Sequence, residues 1–400
     1  MKLENIQGWK NTNIFKKRAY SIKLYLAKHY SKLVPPSKIL AITGTLGKST
    51  AAEILYSVLS QKMVVNKPKN HSLQNSLENF LDLADSVFKI TPKIEKAIIE
   101  LGPVSTGEVD NLKEFVKFSS LIVTNLADRK ESFPDLAEKE IAAVEELVRM
   151  LPQGGTLILN WEDPQVRRLS DKIGAGGEVV FYGFDEKNCH VWASKMRIEN
   201  FQTIFELNYG VERVEIRCNL LGYHQIIPIL SAAAAAINLG LSLITVKKGI
   251  EKVEALPGRM EVLGGINNSV IIDDTYNGDA KAFSEALQTI NLIPARRRIV
   301  VVGELEADVK VSEKIHTQIA REIYSNKIDL VLLGSGQAKF IEEELAKLGF
   351  IPERMLSGLQ NPAIVSNLVK ILAKGDAVLL KGHPNLRLNE VVKRVSKSKR

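Results

Sequence analysis

Short apolar runs recur along the chain and alternate with longer segments of helical periodicity. Such runs, bounded by glycine or polar turns, predict buried strands. They lie at 39–42, 63–65, 96–101, 120–125, 154–160, 269–274, 298–303, 329–334 and 377–380, with further strand-like alternation over 178–218. Because strands and helices alternate from residue 37 onward, we expect an α/β fold with largely parallel sheets.

The first apolar run leads into a glycine loop, T-G-T-L-G-K-S-T at 43–50, and then into an alanine-rich helical segment. Glycines let backbone N–H groups approach phosphate oxygens, and a helix N-terminus adds partial positive charge. Lys48 is predicted to reach the phosphates and the Ser49 hydroxyl to ligate Mg²⁺. The predicted ATP-binding residues of this loop are Gly44, Thr45, Gly47, Lys48, Ser49 and Thr50. Ile42 stands where a P-loop has its first glycine, and a glycine turn before an ordinary helix is the alternative.

Composition narrows the class of protein. Four hundred residues, 45% hydrophobic and 25% charged, are typical of a globular protein with two or three domains. The chain has two cysteines, Cys189 and Cys218, which are too few for a disulfide framework or for a zinc site built from thiolates. Without a long apolar run or a signal sequence, we expect a cytoplasmic protein. The net charge of +8 suits anionic substrates such as nucleotides and does not indicate nucleic-acid binding.

Three motifs together resemble the Mur ligase family. They are the glycine loop, P-G-R-M-E at 257–261 and D-D-T-Y-N at 273–277, the last resembling the branch that adds D-alanyl-D-alanine. The resemblance covers 37–400. It implies a basic N-terminal segment at 1–36, a central ATP-binding domain at 37–255 with a P-loop and a mostly parallel sheet, and a C-terminal Rossmann-like α/β domain at 256–400.

By this resemblance, the chain is an ATP-dependent ligase of peptidoglycan precursor synthesis. Such an enzyme joins a carboxylate to an amine through an acyl phosphate, with ATP and Mg²⁺ and with small-molecule acyl and amine substrates. Glu100, at the end of a buried strand, is a candidate metal ligand and, with Lys48, a candidate catalytic residue. The resemblance further implies nucleotide contacts from Gln225, Arg259 and Asp274, and substrate contacts from Asn277 and Lys381.

The chain also departs from the family pattern. Asp128 and Arg129 stand where a metal-binding His is usual, and Ala143-Val144 where the family carries a carbamylated lysine. Gln225 replaces an Asn that contacts adenine, and Pro228 replaces a second Asn. A polar loop containing Asn70, His71 and Asn75 is either a substrate loop or an ordinary surface loop. These departures predict a weaker dependence on a second Mg²⁺.

The N-terminal segment 1–36 is strongly basic, with eight lysines and arginines against Glu4. One interpretation is a helix on an anionic membrane surface. The other, which we favour from the irregular apolar pattern, is a helix docked on the core with a lysine-rich solvated face. An independent domain needs at least about 50 residues. We therefore expect either that a partner chain recognises a uridine group or that the acyl substrate lacks one, as a lipid-linked cell-wall precursor would. In both cases this chain alone should bind ATP but have little affinity for a UDP-muramoyl peptide.

Three other functions stay open on the sequence. A folylpolyglutamate-synthetase-like ligase would use the same chemistry on another acid, although D-T-Y-N argues against it. A non-catalytic ATP-binding protein acting with a partner would account for the altered motifs. A plain P-loop NTPase would hydrolyse ATP without an amine acceptor.

Overall fold

The computed structural model of the chain describes residue 9 and residues 12–67, 76–102, 106–126 and 131–397. Its helices are α1 (Ile14–Ser31), α2 (Lys48–Leu59), α3 (Ser76–Phe88), α4 (Thr106–Phe115), α5 (Pro134–Arg149), α6 (Pro164–Arg167), α7 (Ile226–Asn238), α8 (Leu243–Ile250), α9 (Ala280–Leu292), α10 (Ser312–Ser325), α11 (Lys339–Lys347), α12 (Asn361–Ile371) and α13 (Leu388–Val395). Its strands are β1 (Ile39–Thr43), β2 (Ala97–Glu100), β3 (Ser120–Val123), β4 (Thr156–Asn160), β5 (Glu178–Gly183), β6 (Val191–Glu199), β7 (Gln202–Tyr209), β8 (Glu212–Cys218), β9 (Glu261–Gly264), β10 (Val270–Asp273), β11 (Arg297–Val302), β12 (Leu330–Gly334), β13 (Met355–Leu359) and β14 (Asp376–Lys381).

The first sheet has eight strands in the order β2-β1-β3-β4-β5-β6-β7-β8. Its strands from β2 to β6 run parallel, and β6, β7 and β8 are antiparallel. Strand β1 pairs with both β2 and β3, so the chain reverses its direction of travel across the sheet at β1. In open α/β sheets, ligands bind beyond the carboxyl ends of the strands at such a reversal. The glycine loop follows β1 and therefore lies at this point.

Helices cover both faces of the first sheet, which explains why its strands are apolar without alternation. In β1, Leu40 and Ile42 join the core beneath α2, α7 and α8. Ile39 and Ala41 join the opposite core, beneath α1, α3, α4 and α5. Both faces of the strand are thus buried, as its apolar sequence predicts.

The second sheet has six strands in the order β13-β12-β11-β14-β10-β9, and within it β9 alone pairs antiparallel. Helices α9, α10 and α11 pack on one face, and α12 and α13 on the other. The chain therefore has the mixed α/β architecture with largely parallel sheets that the sequence predicts.

One predicted strand is wrong. Residues 63–65 form a single parallel bridge, Val65 to Lys96, and no strand. The next residue, Asn66, accepts a hydrogen bond from Ile98 N at 2.8 Å and donates to Ile98 O at 3.4 Å through its side-chain amide. The Asn66 amide thus forms the hydrogen bonds with the β2 backbone that the backbone of a neighbouring strand would otherwise form.

We call the eight-stranded sheet with its helices the first domain, and the six-stranded sheet with its helices the second domain. Helix α1 packs on the first domain through Leu24 and Ala27, which are buried in the core beneath α3 and α4. Asn13 caps its N-terminus by accepting from Lys16 N at 2.9 Å. This packing agrees with the favoured interpretation of a helix docked on the core. The solvent-exposed face of the helix is not simply lysine-rich as expected, because it also carries large apolar side chains. None of the helices within the described ranges combines the length and apolar character needed to cross a bilayer.

The glycine at 249 makes a close helix contact that positions α2, the helix that begins at the glycine loop. A Cβ at Gly249 of α8 would lie 2.4 Å from Val58 Cα, and Ser57 Oγ donates to Gly249 O at 2.7 Å. We expect Gly249→Ala to lower the free energy of unfolding by about 1–3 kcal/mol through overpacking. Chemical denaturation measures this loss.

The matched control is Gly174→Ala, since a Cβ at Gly174 meets nothing within 4 Å. It should change stability by less than about 0.5 kcal/mol. Equal stability of the two variants would show that α8 and α2 can separate without cost.

Candidate active site

The glycine loop has the backbone conformation that its glycines permit. Gly44 has φ +130°, and a Cβ there would lie 2.2 Å from Thr124 Oγ1, in the loop after β3. Gly47 has φ +79° and forms the N-cap of α2. Both conformations disfavour residues with a side chain. The first turn of α2 thereby presents its free N–H groups beside the loop, as an anion site requires.

The loop after β3 holds the glycine loop in place through hydrogen bonds. Asn125 Oδ1 accepts hydrogen bonds from Thr45 N at 3.1 Å and Leu46 N at 2.8 Å. Thr124 Oγ1 donates to Leu46 O at 2.7 Å. No role was predicted for Thr124 or Asn125 from the sequence. Their position directly after a strand adjacent to β1 was the signal that could have identified them.

Lys48 is more buried than the sequence suggested. It was expected to be partly exposed, yet it is 9% exposed, and its ammonium donates to Gly44 O at 2.6 Å and Thr45 O at 3.2 Å. The cation therefore lies folded against the carbonyls of its own loop. A phosphate at the loop would offer Lys48 stronger, charge-assisted hydrogen bonds than these neutral acceptors.

Ser49 and Glu100 come together as predicted for a magnesium site. Ser49 Oγ donates to Glu100 Oε2 at 3.1 Å, and both side chains are buried. Glu100 Oε1 is buried without a hydrogen-bond partner among the described residues. Mg²⁺ typically takes one or two protein oxygens and completes its shell with water and substrate phosphates. This pair fits such an ion. The described residues hold no cluster of three or more His, Cys, Asp or Glu side chains that could bind a metal without a substrate.

The second domain contributes the opposite wall. The guanidinium of Arg259 lies 3.9 Å from the centre of the Tyr276 ring, and its Nη2 donates to Ser49 Oγ at 3.4 Å. Stacking on an aromatic ring fixes the plane of a guanidinium while leaving its N–H donors free for anions. Arg259 therefore links the second domain to the residue that follows Lys48.

Lys381 lies beside the cleft and is fully buried. Its ammonium donates to Asp274 Oδ2 at 2.7 Å, Asn277 Oδ1 at 3.0 Å and Asp274 O at 3.4 Å. Burial raises the pKa of Asp274, and the neighbouring Lys381 ammonium opposes that shift. Asp274 and Asn277 line the cleft, so Lys381 holds two cleft residues in place. A direct substrate contact of Lys381 stays a prediction.

A cavity of about 300 Å³ lies between the two domains, bordered by the glycine loop, the start of α7 and Arg259. His224 and Gln225 line it, with Gln225 Nε2 3.3 Å from His224 Nε2. Burial, with a smaller contribution from Lys381, lowers the pKa of His224 to about 4, so its imidazole is neutral at pH 7. Pro228 lies against Gly47, where a Cβ would be 3.6 Å from it. Pro228 therefore shapes the loop and offers no amide for a base.

Several further cavity residues had no predicted role. Asn160 closes β4 and donates to Thr124 O at 2.8 Å, and Asp163 Oδ2 accepts from Leu126 N at 2.7 Å. These two polar side chains fix the loop after β3. A buried Asn at the end of an apolar strand was an available signal, whereas Lys281 and Glu285 of α9 line the cavity without any local signature.

Some predicted positions lie outside the described residues, namely Asn70, His71, Asn75, Asp128 and Arg129. The position of the family's carbamylated lysine is described. Ala143 and Val144 are buried, and with Leu147 and the buried carboxylate of Glu140 they line a small gap against the glycine loop. The wall that α5 presents to the loop is therefore mostly apolar but includes one acidic side chain.

Comparison with known proteins gives a consistent result. Residues 42–236 match the Mur ligase middle domain, and residues 258–383 match the Mur ligase, glutamate ligase domain. The UDP-N-acetylmuramoyl-tripeptide–D-alanyl-D-alanine ligase of Escherichia coli is 26% identical over 361 residues, covering 90% of this chain and 76% of the relative. The enzyme of the same name from Bacillus subtilis is 24% identical, covering 92% of this chain and 78% of the relative.

Solved structures share the fold. The crystal structure of MurF from Acinetobacter baumannii superposes with a TM-score of 0.80 at 19% identity, covering 94% of this chain and 80% of that one. MurF ligase from Thermotoga maritima in complex with ADP superposes with a TM-score of 0.78 at 18% identity, covering 94% and 83%. The two-domain arrangement described above is thus that of a known ligase fold.

Lys48 should carry much of the affinity for a nucleotide. We expect Lys48→Ala to weaken ATP binding by about 10- to 100-fold, since hydrogen bonds to charged groups contribute about 1.5–3 kcal/mol. Isothermal titration calorimetry measures the affinity, and circular dichroism verifies the fold. Lys347→Ala, which removes an exposed cation on α11, is the control. An unchanged ATP affinity in a folded Lys48→Ala protein would show that the glycine loop is not the phosphate site.

The buried pair of Lys381 and Asp274 should behave as a unit. Lys381→Met leaves a buried carboxylate without its counter-charge, so we expect a loss of about 3–5 kcal/mol in the free energy of unfolding. Adding Asp274→Asn removes that charge and should recover part of the loss. Chemical denaturation of both variants measures the coupling. Lys370→Met, on the exposed face of α12, is the control. Losses that simply add would show that the two groups are not coupled.

Proposed function

This chain belongs to the Mur ligase family, and we propose that it is an ATP-dependent ligase that joins the carboxylate of a cell-wall precursor to an amine. The supporting relatives are named as ligases of UDP-N-acetylmuramoyl-tripeptide and D-alanyl-D-alanine. We propose a substrate pair of this class, a muramoyl-peptide acid and a dipeptide amine. The reaction would take place in the cytoplasm, where ATP is available.

The observation that carries the proposal is the joint construction of one cavity by two domains. The glycine loop and Asn125 come from the first domain, and Arg259, Asp274 and Asn277 from the second. A simple ATPase needs a phosphate cradle and a water molecule. A cleft closed by a second domain, which excludes water, suits an enzyme that must protect a reactive intermediate from hydrolysis.

The residues suggest a division of labour. ATP supplies the phosphoryl group that turns a carboxylate into an acyl phosphate, which an amine can attack to give an amide, ADP and phosphate. Lys48 would leave the carbonyls of Gly44 and Thr45 to meet the phosphates, and the N–H groups at the start of α2 would face the same charge. Arg259 would add a second cation from the opposite domain. Asp274, held by Lys381, would accept from the ribose, and Asn277 would line the acceptor side.

Mg²⁺ would be held by Ser49 and Glu100 and would neutralise phosphate charge. The carbamylated lysine that the family carries has no counterpart in this chain, because Ala143 and Val144 stand at its position. The gap between the loop and α5 is lined by Ala143, Val144 and Leu147, and also by the buried carboxylate of Glu140. We propose that the missing lysine weakens the dependence on a second Mg²⁺.

The experiment that tests the proposal measures phosphate release with each substrate omitted in turn. We expect release of ADP and phosphate to require a muramoyl-tripeptide acid, offered either with UDP or as a lipid-linked precursor, and to rise on addition of D-alanyl-D-alanine, with an amide product detected by mass spectrometry. Glu100→Gln, close in size but uncharged, should lower the rate by at least about tenfold through loss of the carboxylate ligand.

The other outcomes distinguish the alternatives. A rate of phosphate release that does not change when the amine is added would indicate a plain NTPase. ATP binding without turnover would indicate a non-catalytic protein. Turnover with a folate acid and glutamate, and none with the muramoyl peptide, would indicate a folylpolyglutamate-synthetase-like ligase. Any of these three results would overturn the proposed reaction.

A further inference from the structure

Helix α1 carries two apolar faces, and one of them is directed to solvent. The inner face contains Leu24 and Ala27, which are buried against the first domain. The outer face contains five large apolar side chains that are between 52% and 84% exposed, namely Ile14, Phe15, Ile22, Tyr25 and Leu26. Their spacing of three, four and seven residues places them along one side of the helix. Leu33, just beyond the helix end, is also 77% exposed.

This outer apolar face is a continuous feature and not a scatter of single residues. Beside it runs a groove of about 480 Å³, bordered by Ile22, Tyr25 and Leu26 of α1 and by Phe115 of α4. Isolated exposed apolar residues are normal on protein surfaces, but a contiguous group of this kind marks an interaction site. The surface is separate from the proposed catalytic cleft, whose lining contains no α1 residue among those described.

Basic side chains border the outer face on both sides. Arg18 lies within it, Lys16 and Lys23 lie along one edge, and Lys17 and Lys28 along the other. Helix α1 contains no acidic residue. Lys23 and Lys28 make ion pairs with Asp85 and Glu114, so their ammonium groups lie at the junction with the underlying helices. Lys16 and Arg18 are exposed to solvent.

From this combination we propose that the outer face of α1 docks on the surface of an anionic phospholipid bilayer. Apolar side chains on a helix lying parallel to the surface enter the boundary between headgroups and acyl chains. Lysine and arginine stems can lie along the same apolar surface while their charged ends reach the lipid phosphates. The helix offers both contributions on one face, and neither alone gives stable attachment.

Charge argues against a second copy of this chain as the occupant. A symmetric dimer places the same patch on both subunits in contact. Two copies of α1 would bring Lys16 and Arg18 toward their own counterparts, with no acidic residue on the helix to compensate. An anionic membrane supplies the complementary charge without any such constraint.

Vesicle flotation of the full chain tests the proposal. The probes are phosphatidylcholine vesicles with and without phosphatidylglycerol, at low and high salt. We expect binding that requires phosphatidylglycerol and weakens as salt screens the charges. Ile22→Gln/Leu26→Gln should reduce binding by at least about tenfold. Phe15→Gln should act in the same direction, and Lys16→Glu/Arg18→Glu should abolish the preference for anionic vesicles.

Val211→Gln is the matched control, since Val211 is 99% exposed on the turn between β7 and β8, away from α1. It should bind vesicles as the unaltered chain does. All variants should keep the same ATP affinity, which separates this test from that of the proposed reaction. Failure of the unaltered chain to float with phosphatidylglycerol vesicles at low salt would overturn the proposal. So would equal flotation of the Ile22→Gln/Leu26→Gln variant, or light scattering that shows a dimer broken by that variant.

Discussion

The nucleotide cleft depends on how closely the loops after β1 and β3 approach each other. At Gly44 there is no room for a side chain, because a Cβ would lie 2.2 Å from Thr124 Oγ1. This approach brings Asn125 within hydrogen-bond distance of Thr45 N and Leu46 N, so that one amide oxygen holds the turn of the loop. Helix α2 then begins at Lys48 with its free N–H groups facing the cleft. Adjacency of two parallel strands is therefore what shapes the phosphate cradle.

The second domain completes the cleft through contacts that also hold the domains together. Arg259 stacks on Tyr276 and reaches Ser49 of the first domain. Asp308 N donates to Ser132 O at 2.8 Å across the opening, and Ile198 and Phe201 of the first sheet pack against the core of the second domain. Arg259, the proposed phosphate contact, thus also takes part in holding the domains together. A change that separates the domains would move Arg259 away from the glycine loop.

The sequence predicts those features that local chemistry determines. Buried strands such as β1 are apolar on both faces, and their position was predicted correctly. A glycine loop between a strand and a helix is present as expected, and its role as a phosphate site stays a prediction. The contacts of Asn125 and Lys381 could not be predicted, because each depends on partners far away in sequence. Residues 63–65 resembled a strand, but the Asn66 side chain satisfies that sheet edge instead. Burial and strand order were the missing information in each case.

The cations near the glycine loop are distributed unevenly around it. Lys381 is committed to Asp274, so the cations placed to meet phosphate charge are Lys48 and Arg259, with Mg²⁺ at Ser49 and Glu100 as the proposed third. On the other side of the loop, the described residues of α5 that line the gap include no cation, and Val144 and the buried Glu140 are among them. Of these cations, Arg259 is the one that the second domain delivers. Contact between the domains would bring Arg259 to phosphate charge that Lys48 alone does not neutralise. Binding of a highly charged nucleotide would therefore favour the arrangement in which the two domains are in contact.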